Sequence, residues 1–74
     1  MNKPTTGIFS SLSLREWQVL ISMLNGLSIK EIAYQLKLKS NTISTYKKNI
    51  YYKLRIRTQI ELFQLLLKEK LLKK

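Results

Sequence analysis

Between Glu31 and Glu61 the sequence carries no acidic residue but holds Lys37, Lys39, Lys47, Lys48, Lys53, Arg55 and Arg57, half of the 14 Lys and Arg in the chain. Ordinary protein surfaces intersperse both signs, so a stretch of one sign is more than a solubilising face. Ammonium and guanidinium groups in such a run can make charge-assisted hydrogen bonds to an anionic partner. Asn41, Ser44 and Thr45 lie among them and supply short amide and hydroxyl groups that both donate and accept. This is equipment for recognition rather than bond-making. The chain has no Cys, no His and no Asp, and its carboxylate side chains are Glu16, Glu31, Glu61 and Glu69 alone. Without thiol, imidazole or paired carboxylates, no catalytic site, metal site or cofactor is expected.

The 74 residues carry a formal net charge of +10. A basic excess of that size self-repels in a compact state, and its common use is attraction to a polyanion. Nucleic acid and an anionic membrane both qualify. No apolar run approaches the roughly 20 residues of a membrane span, and the start, Met1 to Gly7, lacks the apolar stretch of a secretory signal. A cytoplasmic protein without a membrane partner is expected.

The elements that must position these groups are helical. Ser13-Leu14-Arg15-Glu16, Ser28-Ile29-Lys30-Glu31 and Thr58-Gln59-Ile60-Glu61 each read as a capping box, in which a hydroxyl and a glutamate three residues on satisfy each other's backbone N–H. Helical spacing of apolar residues follows every one. It predicts helices over about 14–25 (Val19, Leu20, Met23 and Leu24 inward, Leu12 just before), 29–37 (Ile32, Ala33, Leu36), 41–55 (Ile43, Ile50, Leu54) and 59–68 or beyond. Gly26 supplies a left-handed stop after the first. Residues 1–11, with the single Pro and several Ser and Thr, read as a flexible arm with Ile8 and Phe9 near enough to pack back; 12–74 form the domain. The fold class is all-α, with four helices.

The second and third helices form a pair around a tight turn. Ala33 is small enough to let the backbones approach, and Ile32, Leu36, Leu38 and Ile43 lock the crossing. Asn41, Ser44, Thr45, Lys47, Lys48, Tyr51 and Tyr52 then face outward. A helix of that kind fits a duplex major groove, with base edges read by its N-terminal half and phosphates gripped along its flanks.

Residues 12–62 resemble the LuxR/GerE-type helix-turn-helix domain, the output domain of many bacterial response regulators. The resemblance rests on Leu12-Ser13-x-Arg15-Glu16-x-x-Val19-Leu20, on Gly26-Leu27-Ser28-x-Lys30-Glu31-Ile32-Ala33-x-x-Leu36, on Thr42-Ile43-Ser44-Thr45-Tyr46-Lys47 and on Ile50-x-x-Lys53-Leu54. It implies a transcription regulator that binds double-stranded DNA sequence-specifically, with the third helix in the major groove, and that pairs through the fourth. Carried over by position, Ser44, Thr45 and Lys48 match base-contacting places. Thr42, Tyr46, Lys47 and Lys53 match backbone-contacting or groove-flanking ones, joined by Lys30 and Arg57. Thr42 has a competing role as a helix cap, and Tyr46 as a packing residue. Four positions depart from the family. Lys39 stands where a capping Ser is usual, so Ser40 is expected to cap instead; Arg55 stands where Gly is usual; Gln18 and Gln59 replace charged residues.

The fourth helix is more apolar than its core needs. With Leu62 and Leu66 inward, Phe63, Leu67 and Ile60 are expected on a homodimer interface, with Leu65 a further candidate. The absence of Asp removes the phosphorylated group of a receiver domain, and the Met1 start points to a free-standing regulator rather than a fragment. Two rival readings use the same chain end. One is an adaptor that binds another transcription regulator through the fourth helix. The other is a cationic membrane-surface protein using Leu65 to Lys74 as an interfacial helix.

Overall fold

Glutamates at three helix starts set the frame. In the computed structural model, which describes residues 3–5 and 7–69, α1 spans Leu14–Leu24, α2 Ile29–Leu36, α3 Ser40–Leu54 and α4 Gln59–Lys68. Ser13, Ser28 and Thr58 each accept from the backbone N–H of the glutamate three residues on, and Glu16, Glu31 and Glu61 each accept from the cap's own N–H. All three capping boxes are complete, and each carboxylate sits at the positive end of its helix dipole. Among the described residues there is no strand. The chain is all-helical, as its patterning predicts. A continuation of α4 past Lys68, and the Leu71-Leu72-Lys73-Lys74 end, lie outside the described residues.

Three of the helices stop in the same way. After α1, the N–H of Gly26 (φ 82°) bonds to the Met23 carbonyl and that of Leu27 to Ser22. After α2, Lys37 bonds to Tyr34 and Leu38 to Ala33; after α3, Arg55 bonds to Tyr52 and Ile56 to Tyr51. Each pair is the double bond of a Schellman turn, and each is followed by an apolar residue (Leu27, Leu38, Ile56) packed against the core. Lys37 and Arg55 hold φ 56°, a left-handed conformation costing about 1–2 kcal/mol in a residue with a Cβ. Arg55, at the position where Gly is usual, keeps the left-handed turn; Lys37 is a second instance, and it ends α2 one residue earlier than the sequence indicates. Burial of Leu38 directly afterwards fixes the stop where no Gly marks it.

The third helix begins differently. Its cap residue is Lys39, in extended conformation and with no side-chain capping bond. Ser40 is already inside the helix and does not cap, which corrects the expectation from sequence; Thr42 does not cap either, its own N–H bonding to the Lys39 carbonyl. Lys39→Ser is therefore expected to stabilise the fold by about 1 kcal/mol, which in a domain of this size raises the Tm by roughly 4–8 °C. An unchanged or lowered melting temperature would show that the α3 N-terminus is already satisfied.

The core is one cluster: Leu12, Trp17, Val19 and Leu20 around α1, Ile32 and Ala33 from α2, Ile43, Ile50 and Leu54 from α3, Leu62 and Leu66 from α4. Ala33 is nearly fully buried, as a small residue at a close helix crossing should be. The twelfth member is Phe9, on a short 3-10 helix, Ile8–Ser11, that precedes α1. Its ring meets Trp17 edge-on at 6.0 Å and 70°, a favoured aromatic arrangement. Phe9, and Ile8 beside it, thus pack back on the core from within residues 1–11. Met23 and Leu24, expected inward, are half-buried at the edge, while Trp17 takes the central place on α1.

Candidate nucleic-acid interface

Because Ile43, Ile50 and Leu54 are all at most 2% exposed, the rotation of α3 is fixed and its opposite side is fixed with it. That side shows Asn41, Ser44, Thr45, Lys48 and Tyr52, all exposed. Their spacing of i, i+3, i+4, i+7 and i+11 makes one stripe along the helix. The sequence places Ser44, Thr45 and Lys48 on one face, and the structure brings all three together in the open. Thr45 Oγ1 donates to the Asn41 carbonyl at 3.0 Å, so its proton is used within the helix while the residue stays exposed.

The flanking residues divide. Lys30, near the start of α2, and Arg57, in the α3–α4 connection, are exposed; the Arg57 backbone N–H donates to Glu61 and leaves the guanidinium outside that bond. Thr42 is half-buried beside the stripe. Lys47 is half-buried, with its ammonium 5.7 Å from the centre of the Tyr51 ring, a cation–π contact that holds it along one flank. Burial pushes the Tyr51 phenol up from its ordinary pKa. Tyr46 packs against the core while staying partly open, so both roles considered for it remain compatible with its place. Tyr51, Tyr52, Lys53, Arg55, Ile56 and Arg57 line an open hollow at the C-terminal end of α3.

Lys53 has a different setting from the other cations. Its ammonium lies 2.8 Å from Glu16 Oε1 and 3.4 Å from the Ser11 carbonyl. Glu16 is 4% exposed, the same carboxylate accepting from the Ser13 N–H at 2.7 Å. One lysine therefore ties α3 to α1 and to the 3-10 helix. Sequence reasoning assigned Glu16 to its capping box and went no further, since the partner lies 37 residues away and no local spacing announces it.

The electrostatics of that tie yield a test. Burial pushes the Glu16 carboxyl up, but the hydrogen bonds from Lys53 and Ser13 outweigh it and hold the group below its ordinary 4.5. A carboxylate depressed in the folded state contributes stability that is complete above its unfolded pKa and vanishes as pH falls through the folded value. The fold should therefore hold at neutral pH and weaken below about 4.5. In Lys53→Met, only the Ser13 hydrogen bonds still oppose the upward push of burial, so acid unfolding followed by circular dichroism should move to higher pH. A midpoint that stays in place or falls would show the pair to be without effect.

On α4, Ile60 is 70% exposed, Leu67 42% and Phe63 37%, whereas Leu62 and Leu66 are fully buried. Leu65 is half-buried against the core. The three residues expected outside are outside. Among the described residues, no helix is long and apolar enough to cross a membrane.

Comparison with known proteins adds to this geometry. The family described as bacterial regulatory proteins, luxR family, matches residues 10–66. The chain is similar to the Fimbriae Z protein of Salmonella typhimurium, 51% identical over 51 residues covering 69% of this chain and 24% of that protein. It is also similar to the HTH-type transcriptional regulator MalT of Vibrio cholerae, 42% identical over 55 residues covering 74% and 6%. With the response regulator UvrY of Escherichia coli K12 it shares 36% identity over 61 residues, 82% of this chain and 28% of that one. The chain thus spans between about a twentieth and just over a quarter of the length of these relatives. No solved structure matches it significantly.

Proposed function

The chain belongs to the luxR family of bacterial regulatory proteins, and from that premise we propose that it is a sequence-specific regulator of transcription that reads double-stranded DNA with α3 in the major groove. The observation that carries this reading is the exposed stripe on α3: short polar groups toward the N-terminal end, then Lys48, on a helix whose far side is locked in the core. Ser44, Thr45 and Lys48 face base edges; Lys30, Thr42, Tyr46, Lys47 and Arg57 meet phosphates on either side. Lys53, held by Glu16, acts chiefly by keeping α3 at its angle, and any phosphate contact it makes is secondary.

Pairing follows from α4. Ile60, Phe63 and Leu67 form an exposed apolar stripe along one face of the helix, a surface that a partner can cover. A two-fold dimer through them covers it and sets two α3 helices roughly 34–36 Å apart, one turn of DNA. The names of the relatives, a transcriptional regulator and a response regulator among them, agree with this use of the domain.

Binding to a duplex as a function of salt tests the reading. If each protomer neutralises about five phosphates, log affinity should fall against log salt with a slope near −9 for a dimer. A slope shallower than about −3 would remove phosphate contact as the main source of affinity. Tight binding to anionic vesicles with none to the duplex would transfer the cationic face to a membrane partner.

A further inference from the structure

We propose that Asn41 is a further specificity-determining residue and that it selects adenine in the major groove, an assignment that rests on α3 being the reading helix. Three observations carry it. Because α3 starts at Ser40, Asn41 is its second residue and lies in the half of a groove-inserted helix that faces base edges. It heads the same stripe as Ser44, Thr45 and Lys48 and is exposed. Its side-chain amide makes no hydrogen bond to any described residue, whereas its backbone carbonyl accepts from Thr45 Oγ1.

The usual alternative for an asparagine at a helix start is to cap it. That place belongs to Lys39, which leaves the cap without a side-chain bond, and Asn41 is two residues too far along to take it. Among the stripe's N-terminal members, Thr45 has committed its proton to the helix, and Ser44 presents a single rotating oxygen. Asn41 alone holds a donor and an acceptor in one rigid plane, the pattern that matches N6 and N7 of adenine together. Thr45, exposed one turn further on and carrying a methyl beside its committed hydroxyl, suits contact with a thymine methyl next to it.

The test is selection of bound sequences from a random duplex library by the full chain and by Asn41→Ala and Asn41→Asp. Both substitutions are compatible with the first turn of a helix, and circular dichroism checks the fold. The unaltered chain should select an adenine in each half-site. Asn41→Ala should lose that preference by roughly 5- to 150-fold while the remaining positions and the non-specific affinity hold. Asn41→Asp, an acceptor only, should move the preference toward cytosine, whose N4 donates. An unchanged preference in Asn41→Ala, or a loss spread evenly over all sequences as a phosphate contact gives, overturns the assignment and leaves the groove reading intact. If the unaltered chain selects no sequence at all, the groove reading itself falls.

Discussion

Lys48→Glu should lower duplex affinity by about 100-fold, since it replaces a cation at the centre of the reading stripe with a charge that the phosphates and the acceptor-rich base edges repel. The effect belongs to binding and not to folding. Lys48 is exposed and makes no hydrogen bond or ion pair with the described residues, so its exchange should alter stability by no more than about 0.5 kcal/mol. The salt dependence adds a second readout. Because Lys48 is assigned to base edges and not to a phosphate, the slope of log affinity against log salt should stay close to that of the unaltered chain. Fluorescence anisotropy with a labelled duplex at several salt concentrations measures both. Affinity within threefold of the unaltered chain would remove Lys48 from the interface and favour a protein partner for this domain.

Phe9→Ala should cost about 3–5 kcal/mol, a large part of a total that for a domain this small is of the order of 5 kcal/mol. Phe9 is 1% exposed and stands edge-on to an equally buried Trp17. Truncating it opens a cavity beside the largest side chain of the core. Urea unfolding monitored by circular dichroism should show a midpoint displaced far downward, or a chain already unfolded in water. Ile8→Ala, at a half-buried neighbouring position, serves as the comparison and should do much less. A loss under 1 kcal/mol in Phe9→Ala would return residues 8–11 to the role of a loose arm.

The helix starts were legible because capping is local. A hydroxyl, a glutamate three residues later and an apolar period together leave little freedom, and the three boxes occur where those letters occur. The orientation of α3 was legible for a related reason: Ile43, Ile50 and Leu54 define one face, and the readable side is whatever remains. The helix ends were less so. Gly26 announces its turn, but Lys37 takes the same conformation with no letter to announce it; the stop depends on where Leu38 finds the core, which is a tertiary fact. Trp17 was within reach of the helical period, three residues before Leu20, yet lost its place to the more conspicuous Met23 and Leu24. Phe9 could be seen as able to pack back, but its setting among Ser, Thr, Pro and Gly gave no sign of how fully it would be buried. The Glu16–Lys53 tie could not be seen at all from spacing, since it joins the first turn of one helix to the last turn of another.

The vacant cap at Lys39 has a consequence for anyone who tries to improve this domain. Each other α-helix among the described residues recruits an anion for its first turn; α3 has none. An aspartate at position 39 is the obvious remedy for a fraying helix start, and a heat-challenge screen that scores survival alone would enrich it. On the proposed reading, the variant so obtained would carry a negative group at the start of the helix assigned to the groove, a charge that DNA phosphates repel. Thermal selection and operator selection therefore pull this one position in opposite directions, and a library sorted by the first should come back depleted for the second.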